Sequence, residues 1–361
     1  MKGTQVLHNA GQSLWFDAIT RGLITSGTLA GYIREFSITG LTSNPTIFDH
    51  AIRESHDYDA SIREHTTAGK TGEALFFELA LEDLRQAADL LRGVHGVTNQ
   101  VDGWVSLELS PTLAYDTARS VASAKALYSR GNRPNLFIKI PGTREGIPAI
   151  EEAIFAGVPI NVTLLFSREQ YLAAAEAYLR GIERRLAVGL NPLVGSAASL
   201  FVSRWDVAVA NKVPSTLRGQ LGIAVAKRTY QAYRALLASD RWLRLLNAGA
   251  RSQRLLWAST GTKDPQASDV LYVKALAAPH SVNSMPEKTL QALADHGEIG
   301  PMLPHDGGDA EQVLDRFTQA GIDLDALAED LQREGVAAFV KSWDDLLACI
   351  EHKAETLRKA G

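Results

Sequence analysis

Asn135-Leu136-Phe137-Ile138-Lys139-Ile140-Pro141-Gly142-Thr143 is a run of mostly β-prone, apolar residues closed by Pro-Gly, with one lysine near its end. It reads as a short buried strand followed by a turn. At strand period two, Leu136, Ile138 and Ile140 share a wholly apolar face, which leaves Phe137 and Lys139 on the other. A cation in so apolar a strand reaches water, finds a partner, or loses its charge by desolvation, and the last outcome makes a nucleophilic amine. A lysine snorkelling from an edge strand is the plain alternative. The rest of the chain decides between them.

Working outward, the same pattern recurs. In Trp104-Val105-Ser106-Leu107-Glu108-Leu109-Ser110-Pro111 the odd positions are apolar, and Glu108 faces as Lys139 does. Ser13-Leu14-Trp15-Phe16-Asp17 is a strand ending in an acid, and Gly40-Leu41-Thr42-Ser43-Asn44-Pro45 is a short strand stopped by proline. On the other side, Pro159 to Phe166 sets Asn161 and Thr163 against an apolar face, and Pro192 to Ser199 is a strand of small residues. Arg254 to Lys263 and His280 to Pro286 supply the seventh and eighth candidates. Helical spacing fills the gaps, with extra helices at about 46–100 and 287–361. The stripe Val336, Phe339, Val340, Trp343, Leu346, Leu347 and Ile350 reads as core packing.

Eight strands alternating with helices predict a parallel sheet, either doubly wound or closed as a barrel. The polar residues choose. Asp17, Asn44, Glu108, Lys139, Thr163, Ser199 and Ser259 fall at or near the C-terminal ends of different strands, which a (β/α)8 barrel gathers around one mouth. No Gly-x-Gly-x-x-Gly follows the first strand, which argues against a dinucleotide fold. The expectation is one α/β domain over 1–361, a TIM-type barrel with added helices and a helical C-terminal extension.

Composition narrows the function. With 45% hydrophobic and 22% charged residues the 361-residue chain has a globular core, and a net charge of −4 without a long basic run gives no surface for nucleic acid. Cys349 is the single cysteine, so no intrachain disulfide or cysteine-built metal site forms, and a reducing, cytoplasmic setting is expected. No apolar stretch approaches the ~18 residues of a membrane span, so no membrane association is expected. The histidines form no His-x-x-x-His or Glu-x-x-His pair among the polar strand ends, which disfavours a metal-dependent site there.

Six ordered motifs carry a family resemblance: Trp15-Phe16-Asp17, Thr42-Ser43-Asn44-Pro45-Thr46, Val105-Ser106-Leu107-Glu108, Phe137-Ile138-Lys139-Ile140-Pro141, Asn161-Val162-Thr163-Leu164-Leu165-Phe166-Ser167 and Ser199-Leu200-Phe201-Val202-Ser203-Arg204. The chain resembles the transaldolases, and its length resembles their longer bacterial subgroup. The resemblance implies a cofactor-free class I mechanism, in which a lysine Schiff base moves a dihydroxyacetone unit between sugar phosphates in the pentose phosphate pathway. It brings in Lys139 as the Schiff-base residue, Asp17 and Glu108 as acid/base groups, and Thr163 as holder of a catalytic water. Asn44 and Asn161 would bind donor hydroxyls, while Arg204, Ser199 and Ser259, assisted by Lys263, would grip the phosphate. Many relatives have Ala-Ser-Phe-Arg after strand seven, whereas this chain reads Ala258-Ser259-Thr260-Gly261-Thr262-Lys263. Its cation there comes later and is a point charge without the guanidinium fork.

The chemistry suits these residue types. Cleaving a ketose between C3 and C4 needs an electron sink at C2, which an iminium supplies without metal. Forming that iminium and deprotonating the C4 hydroxyl are jobs for two carboxylates in different places. Two alternatives stay open: a fructose 6-phosphate aldolase on the same barrel, and a sugar-phosphate-binding barrel without catalysis. In the related aldolases a tyrosine matches Phe201 and a glutamine matches Glu108, so this chain carries the transaldolase pair. A monomer or homodimer is expected.

Overall fold

The computed structural model describes residues 1–359. Eight parallel strands close into a barrel in sequence order: β1 (Ser13–Phe16), β2 (Ile38–Leu41), β3 (Trp104–Glu108), β4 (Leu136–Pro141), β5 (Ile160–Leu165), β6 (Ser196–Phe201), β7 (Gln253–Ala258) and β8 (Val282–Met285). The alternation read from sequence sets the two sides of the wall. Leu136, Ile138 and Ile140 join the core between strands and helices, whereas Phe137 joins a separate cluster with Trp15, Trp104, Ala197, Leu256 and Val282 that fills the barrel. Trp104 stacks on Phe137 with ring centroids 4.1 Å apart, so the N-terminal half of the barrel is solid. β2 admits the indole of Trp15 only because residue 40 is glycine; a Cβ there would lie 2.4 Å from Trp15 Nε1.

Four polar side chains at this floor are linked to one another. Trp15 Nε1 donates to Asp102 Oδ1 at 2.8 Å, Ser13 donates to the same carboxylate, and Arg254 donates to Ser13 Oγ at 2.7 Å. Asp102 is the nearby anion for Arg254, at 3.6 Å.

Several boundaries differ from the sequence reading. β6 runs from Ser196 to Phe201, not from Pro192 to Ser199, because proline cannot donate to a ladder and the pairing starts at Ser196↔Ile160 and ends at Phe201↔Ala258. β2 ends at Leu41, and Thr42 to Asn44 form the loop into the helix Pro45–Glu54. β7 ends at Ala258, which leaves Ser259 to Lys263 in a loop. The helical region after Thr46 is broken into Pro45–Glu54, Asp59–Thr67 and Gly72–Leu90, and a helix Gly3–Asn9 precedes β1. Past Pro286 the chain forms Glu287–His296, Ala310–Gln319 and the 36-residue helix Leu324–Lys359. That last helix packs against Pro45–Glu54 and β5, with Trp343 edge-on to Phe76 at 5.0 Å, so it lies along the barrel mouth. No described helix is long and apolar enough to cross a membrane.

Candidate active site

Strand register builds the centre of the site. Glu108 pairs with Lys139 across β3 and β4, and Lys139 pairs with Asn161 across β4 and β5, so three lumen-facing side chains sit at one level. Lys139 is buried and takes the second of the three outcomes open to such a cation: Nζ donates to Glu108 Oε2 at 3.1 Å and to the Ser43 carbonyl at 3.1 Å. Burial raises the Glu108 carboxyl above its ordinary pKa; Lys139 and Arg204 oppose that, and the Asp17 charge adds to it.

Asp17 follows β1 and is half-buried. Burial raises its pKa as well, against the Lys139 charge, the Thr42 hydrogen bond and the Lys263 charge. Thr42 Oγ1 lies 2.7 Å from both Asp17 Oδ1 and Ser284 Oγ, which fixes the carboxylate's orientation. Two carboxyls that hold protons more tightly than usual thus lie near one buried amine, an arrangement suited to proton transfer.

Nine of the eleven residues named from the sequence line this cavity: Asp17, Asn44, Lys139, Thr163, Ser199, Phe201, Arg204, Ser259 and Lys263. Glu108 and Asn161 stand behind them. Asn161 is fully buried, donating to Ser106 Oγ at 3.2 Å and accepting from Ser199 Oγ at 2.7 Å. The Ser199 hydroxyl thus donates to Asn161 while the residue lines the cavity. Asn44 caps the helix Pro45–Glu54, its Oδ1 accepting from Ile47 N at 3.2 Å, which leaves its Nδ2 to face the cavity's contents. Thr163 Oγ1 is buried and has no hydrogen-bond partner in the protein.

Arg204 differs from Arg254 at the barrel floor, which has Asp102 nearby. Its guanidinium lies over the rings of Phe201, at 5.2 Å, and Phe339, at 5.8 Å, and no carboxylate among the described residues comes within ion-pair distance of it. Burial lowers its pKa, yet an arginine stays charged, so the cavity wall presents an uncompensated cation to an anionic ligand. Lys263 is exposed at the rim, and Ser259, in the left-handed region at φ 55°, meets Ser203 Oγ at 2.9 Å.

Thr42, Ser284 and Phe339 also line the cavity. Ser284 shares the lumen face with Val282 by strand alternation, a signal that points to it. Phe339 corrects the reading of its stripe: Val336, Trp343, Leu346 and Ile350 are buried as expected, but Phe339 is half-buried and closes the site. Among the described residues no group of three or more His, Cys, Asp or Glu is gathered as a metal site.

Comparison with known proteins places this geometry among relatives. The transaldolase/fructose-6-phosphate aldolase family matches residues 14–350. A transaldolase of Saccharopolyspora erythraea is 44% identical over 358 residues, covering 97% of each chain. A transaldolase of Thermobifida fusca is 45% identical over 352 residues, covering 95% of this chain and 96% of its own, and one from Mycobacterium ulcerans is 41% identical over 363 residues, covering 98% and 97%.

Proposed function

This chain belongs to the transaldolase/fructose-6-phosphate aldolase family, and from that premise we propose how its residues divide the work. The function is that of a transaldolase, an enzyme that moves a dihydroxyacetone unit between sugar phosphates through a lysine Schiff base. Sedoheptulose 7-phosphate and glyceraldehyde 3-phosphate give erythrose 4-phosphate and fructose 6-phosphate. The pentose phosphate pathway in the cytosol is the setting, a reading the single cysteine supports.

Lys139, neutral after passing a proton to Glu108, adds to the C2 carbonyl of the donor. The carbinolamine loses its C2 hydroxyl as water, with Glu108 returning the proton through a water held at Thr163 Oγ1. The resulting iminium is the electron sink. Asp17 then takes the proton of the C4 hydroxyl, the C3–C4 bond breaks, its electron pair flows into the iminium, and the aldehyde leaves an enamine on Lys139. Attack of the enamine on the acceptor aldehyde, with Asp17 giving its proton back, reverses these steps. Asn44 and Asn161 hold the donor hydroxyls, Ser199 keeps Asn161 oriented, and Arg204 binds the phosphate with Ser259 and Lys263 at the rim.

The observation that carries this reading is the Lys139 amine, 3.1 Å from Glu108, in a cavity whose wall offers the unpaired Arg204. Borohydride reduction with fructose 6-phosphate, followed by peptide mass spectrometry, is expected to label Lys139. A label on another lysine overturns the assignment.

A further inference from the structure

We propose that Gln332, on the helix Leu324–Lys359, is a positioning residue that holds Thr163 in its working orientation, so that the C-terminal helix is part of the catalytic apparatus. The inference rests on the role given to Thr163 above.

The residue after Thr163 has an unusual backbone. Leu164 is buried within β5, yet its φ is 58°, in the left-handed region that a side chain disfavours. The pairing of β5 with β6 shifts register between Val162 and Leu165, so this is a bulge set directly behind Thr163. Bulges re-aim side chains, and the one re-aimed here ends in a buried hydroxyl without a protein partner.

A backbone in this state persists only where its surroundings hold it. Gln332 Nε2 donates to the Leu164 carbonyl at 2.9 Å and to the Gly142 carbonyl at 3.0 Å. Both N–H bonds of the amide are thus used on two strand ends, one residue past Thr163 and three past Lys139. Gly142 N in turn donates to the Thr163 carbonyl at 2.8 Å, which closes a ring of contacts around the bulge. The helix reaches this point because its next turn carries Gly335, where a Cβ would lie 3.0 Å from Leu164 Cδ2 and 3.2 Å from Arg204 Nη1. Phe339, one turn further, closes the cavity. Gln332, Gly335 and Phe339 fall at helical spacing on one face, and all three meet the mouth.

A double-mutant cycle in the full-length enzyme separates positioning from simple anchoring of the helix. Gln332→Met keeps the side chain's length and removes both donors. It is expected to lower kcat about tenfold with the KM for fructose 6-phosphate little changed, as misplacement of a reacting group does. Thr163→Val is expected to cost about 100-fold, the scale of one proton-transfer group. The double variant should be no slower than Thr163→Val alone, because the clamp has nothing left to aim. Gln332→Glu, which sets oxygens against the two carbonyls, should be at least as slow as Gln332→Met and serves if that variant does not accumulate folded. Arg333→Ala, exposed on the same helix, should match the parent. Parent-like kcat in the Gln332 variants, or losses that multiply in the double variant, overturn the inference while leaving Thr163 in its role. Parent-like kcat in Thr163→Val removes that role and the inference with it.

Discussion

The two ends of the barrel are built from the same eight strands and use their charged residues differently. At the floor, Trp104 lies on Phe137, and Asp102, Ser13, Trp15 and Arg254 are linked to one another. At the mouth, Thr163 Oγ1 has no protein partner, Arg204 forms no ion pair among the described residues, and burial raises the pKa of two carboxyls. A buried polar group without a partner costs stability, on the order of 1–3 kcal/mol. On the function proposed above, the packed floor offsets that cost and the mouth uses it to bind and to transfer protons. On that proposal, stability and activity are largely separated along the barrel axis.

The sharpest way to break this contrast is at Lys139. Lys139→Ala should lose on the order of 10⁴-fold or more in kcat and all borohydride labelling, while its urea melt stays near the parent's. Near-normal turnover would remove the mouth's central role. The matching change at the floor is Phe137→Ala, two residues away on the same strand face. It deletes a ring packed between Trp15 and Trp104 and should cost about 3–5 kcal/mol of unfolding free energy. Its kcat per folded molecule should fall far less than that of Lys139→Ala, and an equal fall would merge the two ends into one functional unit.

Arg204→Ala comes next. Binding of phosphorylated donors should weaken by about 1.5–3 kcal/mol, read as a rise in KM, because one charge-assisted contact is lost. Equal losses for unphosphorylated ketoses would contradict a phosphate role.

Asp17 tests the stability side of the mouth. Its native pKa stands above the ordinary 3.8, so the stability it contributes is complete below 3.8 and is lost as pH rises through the raised native value. Asp17→Asn cannot ionise and still accepts from Thr42, so it should be more stable than the parent at pH 8 and lose that advantage as pH falls towards 4, although it is nearly inactive. Denaturant melts across that range measure the difference, and an advantage that grows on acidification would reverse the sign assigned to the site. The smallest expected effect is in product partition. Phe201→Tyr adds a hydroxyl at the cavity wall, which should raise the share of free dihydroxyacetone released from fructose 6-phosphate relative to transfer onto an acceptor. An unchanged ratio would show that the enamine's fate is decided elsewhere.

By itself the sequence determined that there are eight strands, the face most of their side chains take, and most of the residues that line the cavity. Period two put Lys139 and Glu108 on the polar side of apolar strands, and closure of the barrel turned that side inward. The first is a consequence of local pattern, because strand alternation holds wherever the ladder is not bulged. What lay beyond it came from contacts between distant segments. Ser199 turns inward because Asn161 is across the ladder, and Thr42 holds Asp17 because β1, β2 and β8 close together. Phe339 and Gln332 gave no signal in their own helix, where the spacing is that of ordinary core packing. They enter the site because tertiary packing lays residues 324–359 over strand ends up to 190 positions earlier in the chain. Helical periodicity records only that a face is buried; what it is buried against is settled when the whole chain packs.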